Sequence, residues 1–142
     1  MYASHTVHIS ATPQHVWDVL LDVERWPEFA PQFKSIVRTD DGPLALGKAA
    51  RVTPHGFFGA VWTVTEFEAG RLFTWEAEML PGLHLAAGHE IAPSGEGTDV
   101  TLWLRSSGPL SGPMSLVLGR IFRRNVRQEG EGMKAYCERG GS

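Results

Sequence analysis

The clearest structural signal lies near the C-terminal end of the chain, in residues 112–138, which read GPMSLVLGRIFRRNVRQEGEGMKAYCE. At about 100° per residue, this segment places most apolar side chains on one arc of a helix and most charged ones opposite. The apolar arc consists of Met114, Val117, Leu118, Ile121, Phe122, Met133, Ala135 and Tyr136. The opposite face carries Arg120, Arg123, Arg124, Arg127, Lys134 and Glu138. The segment predicts one long amphipathic helix, with a kink or fraying near Gly130 because glycine weakens a helix interior.

The chain before this helix is mostly strand-like and is divided by glycine-containing turns. Alternating side chains predict a first strand near residues 2–10 and six more near 33–39, 47–55, 58–68, 71–80, 83–92 and 98–106. Short turns between consecutive strands favour an antiparallel sheet, mostly in sequence order. The final helix is roughly 40 Å long at about 1.5 Å per residue, so it can span seven strands spaced about 4.8 Å apart.

Two short helices interrupt the strands early in the chain. Thr12 is a suitable N-cap and Pro13 occupies the first helical position. Val16 and Trp17 then begin an apolar repeat at helical spacing. The proline-rich residues 23–31 predict a second, shorter helical turn that ends in an extended exit.

Composition limits the classes of protein to which the chain can belong. Its 142 residues suit one domain, and a content of 42% hydrophobic and 20% charged residues is typical of a folded protein. The net charge of −3 gives no electrostatic footprint for nucleic acid or an anionic bilayer. The single cysteine, Cys137, cannot form an internal disulfide, and no zinc-ligand spacing occurs. Residues 1–10 lack the pattern of a secretory signal, so we expect a cytoplasmic protein. We also expect no metal, no cofactor and no stable membrane insertion.

Four local motifs, in this order of elements, resemble the START-like or Bet v 1-like (SRPBCC) superfamily. Residues 12–17 (TPQHVW) look like the start of its first helix, and residues 22–31 (DVERWPEFAP) look like the signature of its second. Residues 97–101 (GTDVT) resemble the start of its last strand, and residues 133–138 (MKAYCE) resemble the end of its final helix. The nearest branch is the polyketide cyclase/dehydrase-like group of small bacterial proteins.

The resemblance covers essentially the whole chain and implies an α+β helix-grip fold. In this fold a seven-stranded antiparallel sheet wraps around a long C-terminal helix, with two short helices between strands 1 and 2. Residues 1–142 would then form a single START-like ligand-binding domain.

The resemblance also implies a cavity between sheet and helix, open at one end, that binds apolar or amphipathic small molecules. Strand parity supports an apolar wall, since Phe73, Trp75 and Met79 share one strand face. The residues expected to contact a ligand are Trp62, Phe73, Trp75, Met79, His89, Leu102, Leu104, Met114, Val117, Leu118, Ile121 and Asn125. The alternative is that the aromatic side chains only fill a core.

Two tryptophans are hard to orient from the pattern. Trp62 shares a strand face with Val64 but also with Glu66, and we place it inward. The direction of Trp103 stays open.

Polar residues on the expected inner surface leave several interpretations open. His89 lies on an otherwise apolar strand face, either as a satisfied core residue or as an anchor or general base for a ligand. No motif places an acidic residue beside it. Asn125, Gln128 and Glu129 interrupt the apolar arc, either where the helix meets water or where it offers a polar contact inside the cavity.

The leading functional hypothesis is a binding protein, monomeric or homodimeric, for a hydrophobic or aromatic ligand such as a lipid, isoprenoid or polyketide. The alternative is a polyketide cyclase or aromatase-type lyase in which His89 or Glu129 moves protons. A third hypothesis treats the arginine face of the helix as a surface for a protein partner.

Overall fold

The structure, a computed structural model, describes residues 1–139, so the last three residues of the expected domain lie outside the described residues. The strands are β1 (Tyr2–Ile9), β2 (Phe33–Arg38), β3 (Ala49–Pro54), β4 (Ala60–Glu68), β5 (Leu72–Leu80), β6 (Leu83–Ser94) and β7 (Gly97–Ser107). The helices are α1 (Pro13–Leu21), a 3₁₀ helix (Val23–Glu28) and α2 (Ser111–Glu138). The expected element order is confirmed.

All seven strands belong to one antiparallel sheet, in the order β1-β7-β6-β5-β4-β3-β2. Strands β2 to β7 follow the chain, and β1 joins the far end by pairing with β7, where Val7 lies opposite Val100. The helix α2 packs across the inner face of the sheet against β1 and β7. This arrangement confirms the expected helix-grip fold.

The two early helices form as their sequences predict. The Thr12 hydroxyl accepts a hydrogen bond of 3.2 Å from the backbone N–H of His15, which satisfies one free donor at the start of α1. The 3₁₀ helix buries Trp26, and its indole N–H donates a hydrogen bond of 3.1 Å to the carbonyl of Leu20. The second motif therefore fixes a large aromatic ring beneath the sheet.

A β-bulge explains the ambiguous side-chain pattern around Trp62. The register between β4 and β5 shifts between Val64 and Glu66, which changes the parity of the strand. Trp62 and Val64 therefore both point inward and are buried, while Phe67 beyond the bulge packs against Trp17 on α1. Trp62 lies on the inner side, as we expected.

The long helix corrects two expectations. It runs without interruption through Gly130, because this glycine lets the backbone approach β1; an added Cβ would lie 2.9 Å from the His5 ring. Its buried stripe shares Phe122 and Met133 with the predicted hydrophobic arc but continues through Val126 and Gly130, so it is rotated around the helix relative to that arc. At about 100° per residue, Val117 lies nearly opposite that stripe and is 69% exposed, so its expected inward position is wrong.

Candidate ligand cavity

A cavity of about 620 Å³ lies between the inner face of the sheet and one side of α2. Its wall is formed by residues of β2 to β7, the 3₁₀ helix, α2 and the loops that join them. Ten of the residues expected to contact a ligand lie on this wall: Trp62, Trp75, Met79, His89, Leu102, Leu104, Met114, Leu118, Ile121 and Asn125. The fold thus brings together side chains that are distant in sequence but face one interior space.

Two expected wall residues lie elsewhere. Phe73 is fully buried behind His89, with the two rings stacked 4.3 Å apart, so it supports the wall instead of forming it. Val117 points to solvent because it lies on the side of α2 opposite the buried stripe. The alternation of side chains along β5 correctly predicted that Phe73 lies on the inner face. The same alternation contains no information about the His89 ring that covers Phe73.

The cavity reaches solvent near the β3–β4 and β5–β6 turns and the first turns of α2. Phe57 and Phe58, in the β3–β4 turn, line the opening and are 56% and 61% exposed. Met79 lies on the β5 side of the opening, and Met114 lies on the α2 side. These two phenylalanines were not among the residues predicted to contact a ligand, although adjacent aromatic residues in a turn were a usable signal.

An aromatic cluster forms the deeper part of the wall. The Trp75 ring lies 5.4 Å from Trp26 in an edge-on arrangement and 5.9 Å from Trp62. Trp26 also lies 5.1 Å from the His89 ring. Trp26 was predicted only as part of a packing motif, and its place on the cavity wall was not expected. These rings give the cavity a large, rigid apolar surface.

His89 is held in one orientation. Its Nδ1 lies 3.1 Å from the backbone carbonyl of Phe73; since a carbonyl only accepts, Nδ1 carries the hydrogen and donates. The unprotonated Nε2 then points toward α2. Burial lowers the pKa of His89 to about 4, although the hydrogen bond to Phe73 acts in the opposite direction. The imidazole is therefore uncharged at neutral pH.

Glu129 approaches His89 from α2. Its Oε2 lies 3.7 Å from His89 Nε2, and the carboxyl is almost completely buried. Burial raises the pKa of Glu129 to about 8, so the carboxyl is largely protonated at neutral pH. The absence of an acidic motif near His89 was misleading, because the partner lies forty residues away on another element.

The pair can both accept and donate a proton at the cavity wall. Neutral His89 offers a lone pair at Nε2, and protonated Glu129 offers an O–H. Asn125 and Gln128 also line the cavity, so all three polar residues that interrupt the apolar arc reach it. The wall is thus mainly apolar, with its polar side chains at His89 on β6 and at Asn125, Gln128 and Glu129 on α2.

Three further side chains point away from the cavity or lie outside it. Trp103 borders the cavity, but its ring lies over Gly88, where a Cβ would overlap it, and it has the opposite strand parity to the inward Leu102. The imidazole of His84 pairs with Glu76 at 2.7 Å on that same outer side. Burial raises the pKa of the Cys137 thiol to about 11, which keeps it protonated and unreactive at neutral pH.

The described residues offer neither a metal cluster nor a membrane-spanning helix. Within residues 1–139, no three histidine, cysteine, aspartate or glutamate side chains come together as a metal site. No helix in the described part of the chain has the length and apolar character needed to span a bilayer.

Sequence comparison gives one family match. Residues 3–138 match the model of the family described as polyketide cyclase/dehydrase and lipid transport. No curated protein matches the sequence significantly.

Solved structures share the fold at low sequence identity. The Zhui aromatase/cyclase from Streptomyces sp. R1128 is 18% identical, with a TM-score of 0.78 over 98% of this chain and 94% of that one. A START superfamily protein from Mycobacterium smegmatis is 17% identical, with a TM-score of 0.73 over 96% and 98% of the two chains. A protein from Thermus thermophilus is 16% identical, with a TM-score of 0.79 and full coverage of both chains. These similarities concern the fold alone.

Proposed function

The chain belongs to the polyketide cyclase/dehydrase and lipid transport family, and from this we propose that it binds a hydrophobic or aromatic small molecule in the cavity between its sheet and α2. We propose that residues 1–142 act as one ligand-binding domain, and that the ligand is lipid, isoprenoid or polyketide-like. The observation that carries this proposal is the cavity itself: about 620 Å³ with a mainly apolar wall and an opening to solvent.

The energetics of such a cavity favour an apolar ligand. A ligand that buries about 250 Å² of apolar surface gains roughly 6 kcal/mol at about 25 cal/mol per Å². Part of that gain is offset by lost translational freedom and by ordering of the ligand. Pre-formed aromatic walls reduce the ordering cost on the protein side. A monomer or homodimer in the bacterial cytoplasm is the setting we propose, without nucleic acid as a partner.

The proposed ligand site predicts that partly filling the cavity weakens binding. Ala87 lines the cavity on β6, next to its cross-strand partner Trp75 on β5. Ala87→Phe therefore places a ring inside the cavity. We expect at least a tenfold loss of affinity for 1-N-phenylnaphthylamine, an uncharged probe whose fluorescence rises in apolar surroundings. Titration of the probe into purified protein measures the effect.

The matched control is Ala92→Phe, an exposed position on the same strand with the opposite parity. It adds the same side chain outside the cavity and should leave the affinity of the probe within twofold. Equal probe binding by wild type and Ala87→Phe would refute the proposed site.

A second candidate function is favoured by the contact of His89 with Glu129. A cyclase needs a base to remove a proton from an activated carbon and an acid to protonate a carbonyl oxygen. Neutral His89 Nε2 can accept the first proton, and the Glu129 carboxyl can donate the second, 3.7 Å away. The similarity to an aromatase/cyclase fold gives this candidate a reaction class.

The enzyme hypothesis has its own expected result. With a linear poly-β-ketone thioester as substrate, His89→Gln should lower turnover about 100-fold while leaving substrate affinity nearly unchanged, because glutamine donates a hydrogen bond but cannot shuttle a proton. His84→Gln, on the outer side of the same strand, should leave turnover unchanged. Cyclisation at the uncatalysed rate with wild-type protein would eliminate this candidate.

A further inference from the structure

The polar pair is buried in the cavity wall, away from the opening at the β5–β6 turn and the first turns of α2, and we call this part of the cavity its inner end. Along β6, His89 lies six residues from Leu83 at the open end, or about 20 Å at roughly 3.3 Å per residue. Along α2, Glu129 lies fifteen residues from Met114 at the opening, which is again about 20 Å at roughly 1.5 Å per residue. Two independent elements thus place the pair at the same depth.

The geometry of the pair leaves room for one bridging oxygen. His89 Nδ1 is already used by the Phe73 carbonyl, so only Nε2 faces the cavity. Within residues 1–139, no side-chain hydrogen bond satisfies the Glu129 carboxyl, and its 3.7 Å separation from Nε2 is too long for a direct one. A single oxygen can lie at about 2.8 Å from both groups.

The surroundings of the pair disfavour a charged ligand group. The rings of Phe73, Trp26 and Trp75 surround the imidazole from β5 and the 3₁₀ helix, and Leu102 faces the cavity from β7. No lysine or arginine contacts either member of the pair among the described residues.

The other ionisable groups near the pair are already placed elsewhere. The remaining titratable groups on the cavity wall are His55, in the β3–β4 turn at the opening, and the exposed Arg124 on α2. From β1, His5 lies against Gly130 but pairs with the exposed Glu131 at 2.9 Å. An anion at the inner end would therefore lack a compensating cation.

We propose that the ligand carries an uncharged hydroxyl group at its inner end, which donates to His89 Nε2 and accepts from the Glu129 carboxyl. The cavity then selects alcohols and phenols over hydrocarbons, and over carboxylates, of the same skeleton. A hydroxyl satisfies both groups at once, whereas a carbonyl satisfies only the donor and a methyl group satisfies neither. This inference rests on the proposed ligand-binding function.

Three probes of one skeleton test the selectivity: 2-naphthol, the isosteric 2-methylnaphthalene and the anion 2-naphthoate. Calorimetric titration of each into wild-type protein at pH 6.5 should give about tenfold tighter binding for 2-naphthol than for 2-methylnaphthalene. The affinity for 2-naphthoate should be lower than for either. Glu129→Leu should remove the preference for the hydroxyl, because the donor is lost while the volume is kept.

Controls separate the inference from the function on which it rests. Glu131→Leu alters an exposed carboxyl on the same helix and should preserve the preference. His89→Leu removes the acceptor and should act like Glu129→Leu, so the result does not depend on one variant folding. Equal affinities of 2-naphthol and 2-methylnaphthalene, or a preference that survives both Leu variants, would overturn the inference but leave the ligand site standing. Failure of both neutral probes to bind would overturn the proposed function as well.

Discussion

Replacing Gly132 with alanine is expected to destabilise the protein by about 3 kcal/mol, although alanine normally favours a helix over glycine by about 1 kcal/mol. At this position an added Cβ would overlap the backbone carbonyl oxygen of Phe29, just after the 3₁₀ helix. Backbone atoms cannot swing aside as a flexible side chain can, so α2 or the 3₁₀ helix must shift. The shift would loosen the cover of the cavity. Urea unfolding, compared at equal m-values, measures the loss.

Gly119→Ala is the matched control within the same helix. Its added Cβ would lie 3.4 Å from the Met1 sulfur, a contact that a flexible side chain can adjust. Here the ordinary helix propensity should dominate, and stability should be unchanged or raised by up to about 1 kcal/mol. If Gly132→Ala were as stable as Gly119→Ala, the described seating of α2 against Phe29 would be wrong.

The second large effect is a loss of stability toward alkaline pH that depends on Glu129. Its pKa is raised by burial from 4.5 in the unfolded chain to about 8 in the folded protein. Between these values the folded state holds the proton more tightly, so this contribution to stability is complete below pH 4.5, falls as the pH rises, and is level above pH 8.

His89 acts in the opposite direction over part of this range. Burial lowers its pKa from 6.5 to about 4, so its contribution is complete above pH 6.5 and is lost as the pH falls toward 4. Between pH 4.5 and 6.5 the stability contributed by Glu129 falls with pH about as fast as the stability contributed by His89 rises, so the two changes nearly cancel. Above pH 6.5 only the Glu129 slope remains, and it amounts to roughly 2 kcal/mol up to pH 8 at about 1.4 kcal/mol per pH unit.

Chemical unfolding of ligand-free protein between pH 6.5 and 8.5 measures this slope. In Glu129→Gln the loss attributable to Glu129 should vanish, because the amide does not titrate. Glu131→Gln, on the exposed side of α2, should keep the wild-type slope. Parallel curves for wild type and Glu129→Gln would show that the buried carboxyl titrates normally, and the assignment of a neutral pair would fail.

Local sequence patterns were sufficient for the fold. The Thr12-Pro13 start, the glycine-containing turns and the length of α2 are determined by contacts within a few residues, and the structure confirms them. Strand parity likewise placed Trp75 and His89 on the inner face. The bulge between Val64 and Glu66 interrupts the alternation of inward and outward side chains along β4. For this reason the direction of Trp62 was ambiguous from the sequence.

The site itself depends on contacts that no local pattern contains. The hydrophobic pattern of α2 wrongly predicted that Val117 points inward. The helix approaches β1 at Gly130 and Phe29 at Gly132, and glycine contributes nothing to a hydrophobic pattern. Because α2 packs through these glycines, the Glu129 side chain points into the cavity. Its contact with His89 joins residues forty positions apart, and only the packed structure brings them together.

In our proposal an apolar ligand occupies the space between the sheet and α2, and the indole N–H signals of the tryptophans in a ¹H–¹⁵N spectrum report on that space. Trp26, Trp62 and Trp75 line the cavity, whereas Trp17 packs on Phe67 away from it and serves as the internal reference. On titration with 1-N-phenylnaphthylamine, the three wall signals should shift together and saturate, while the Trp17 signal stays in place. Saturable binding that leaves the signals of Trp26, Trp62 and Trp75 unmoved would place the ligand elsewhere and contradict the account.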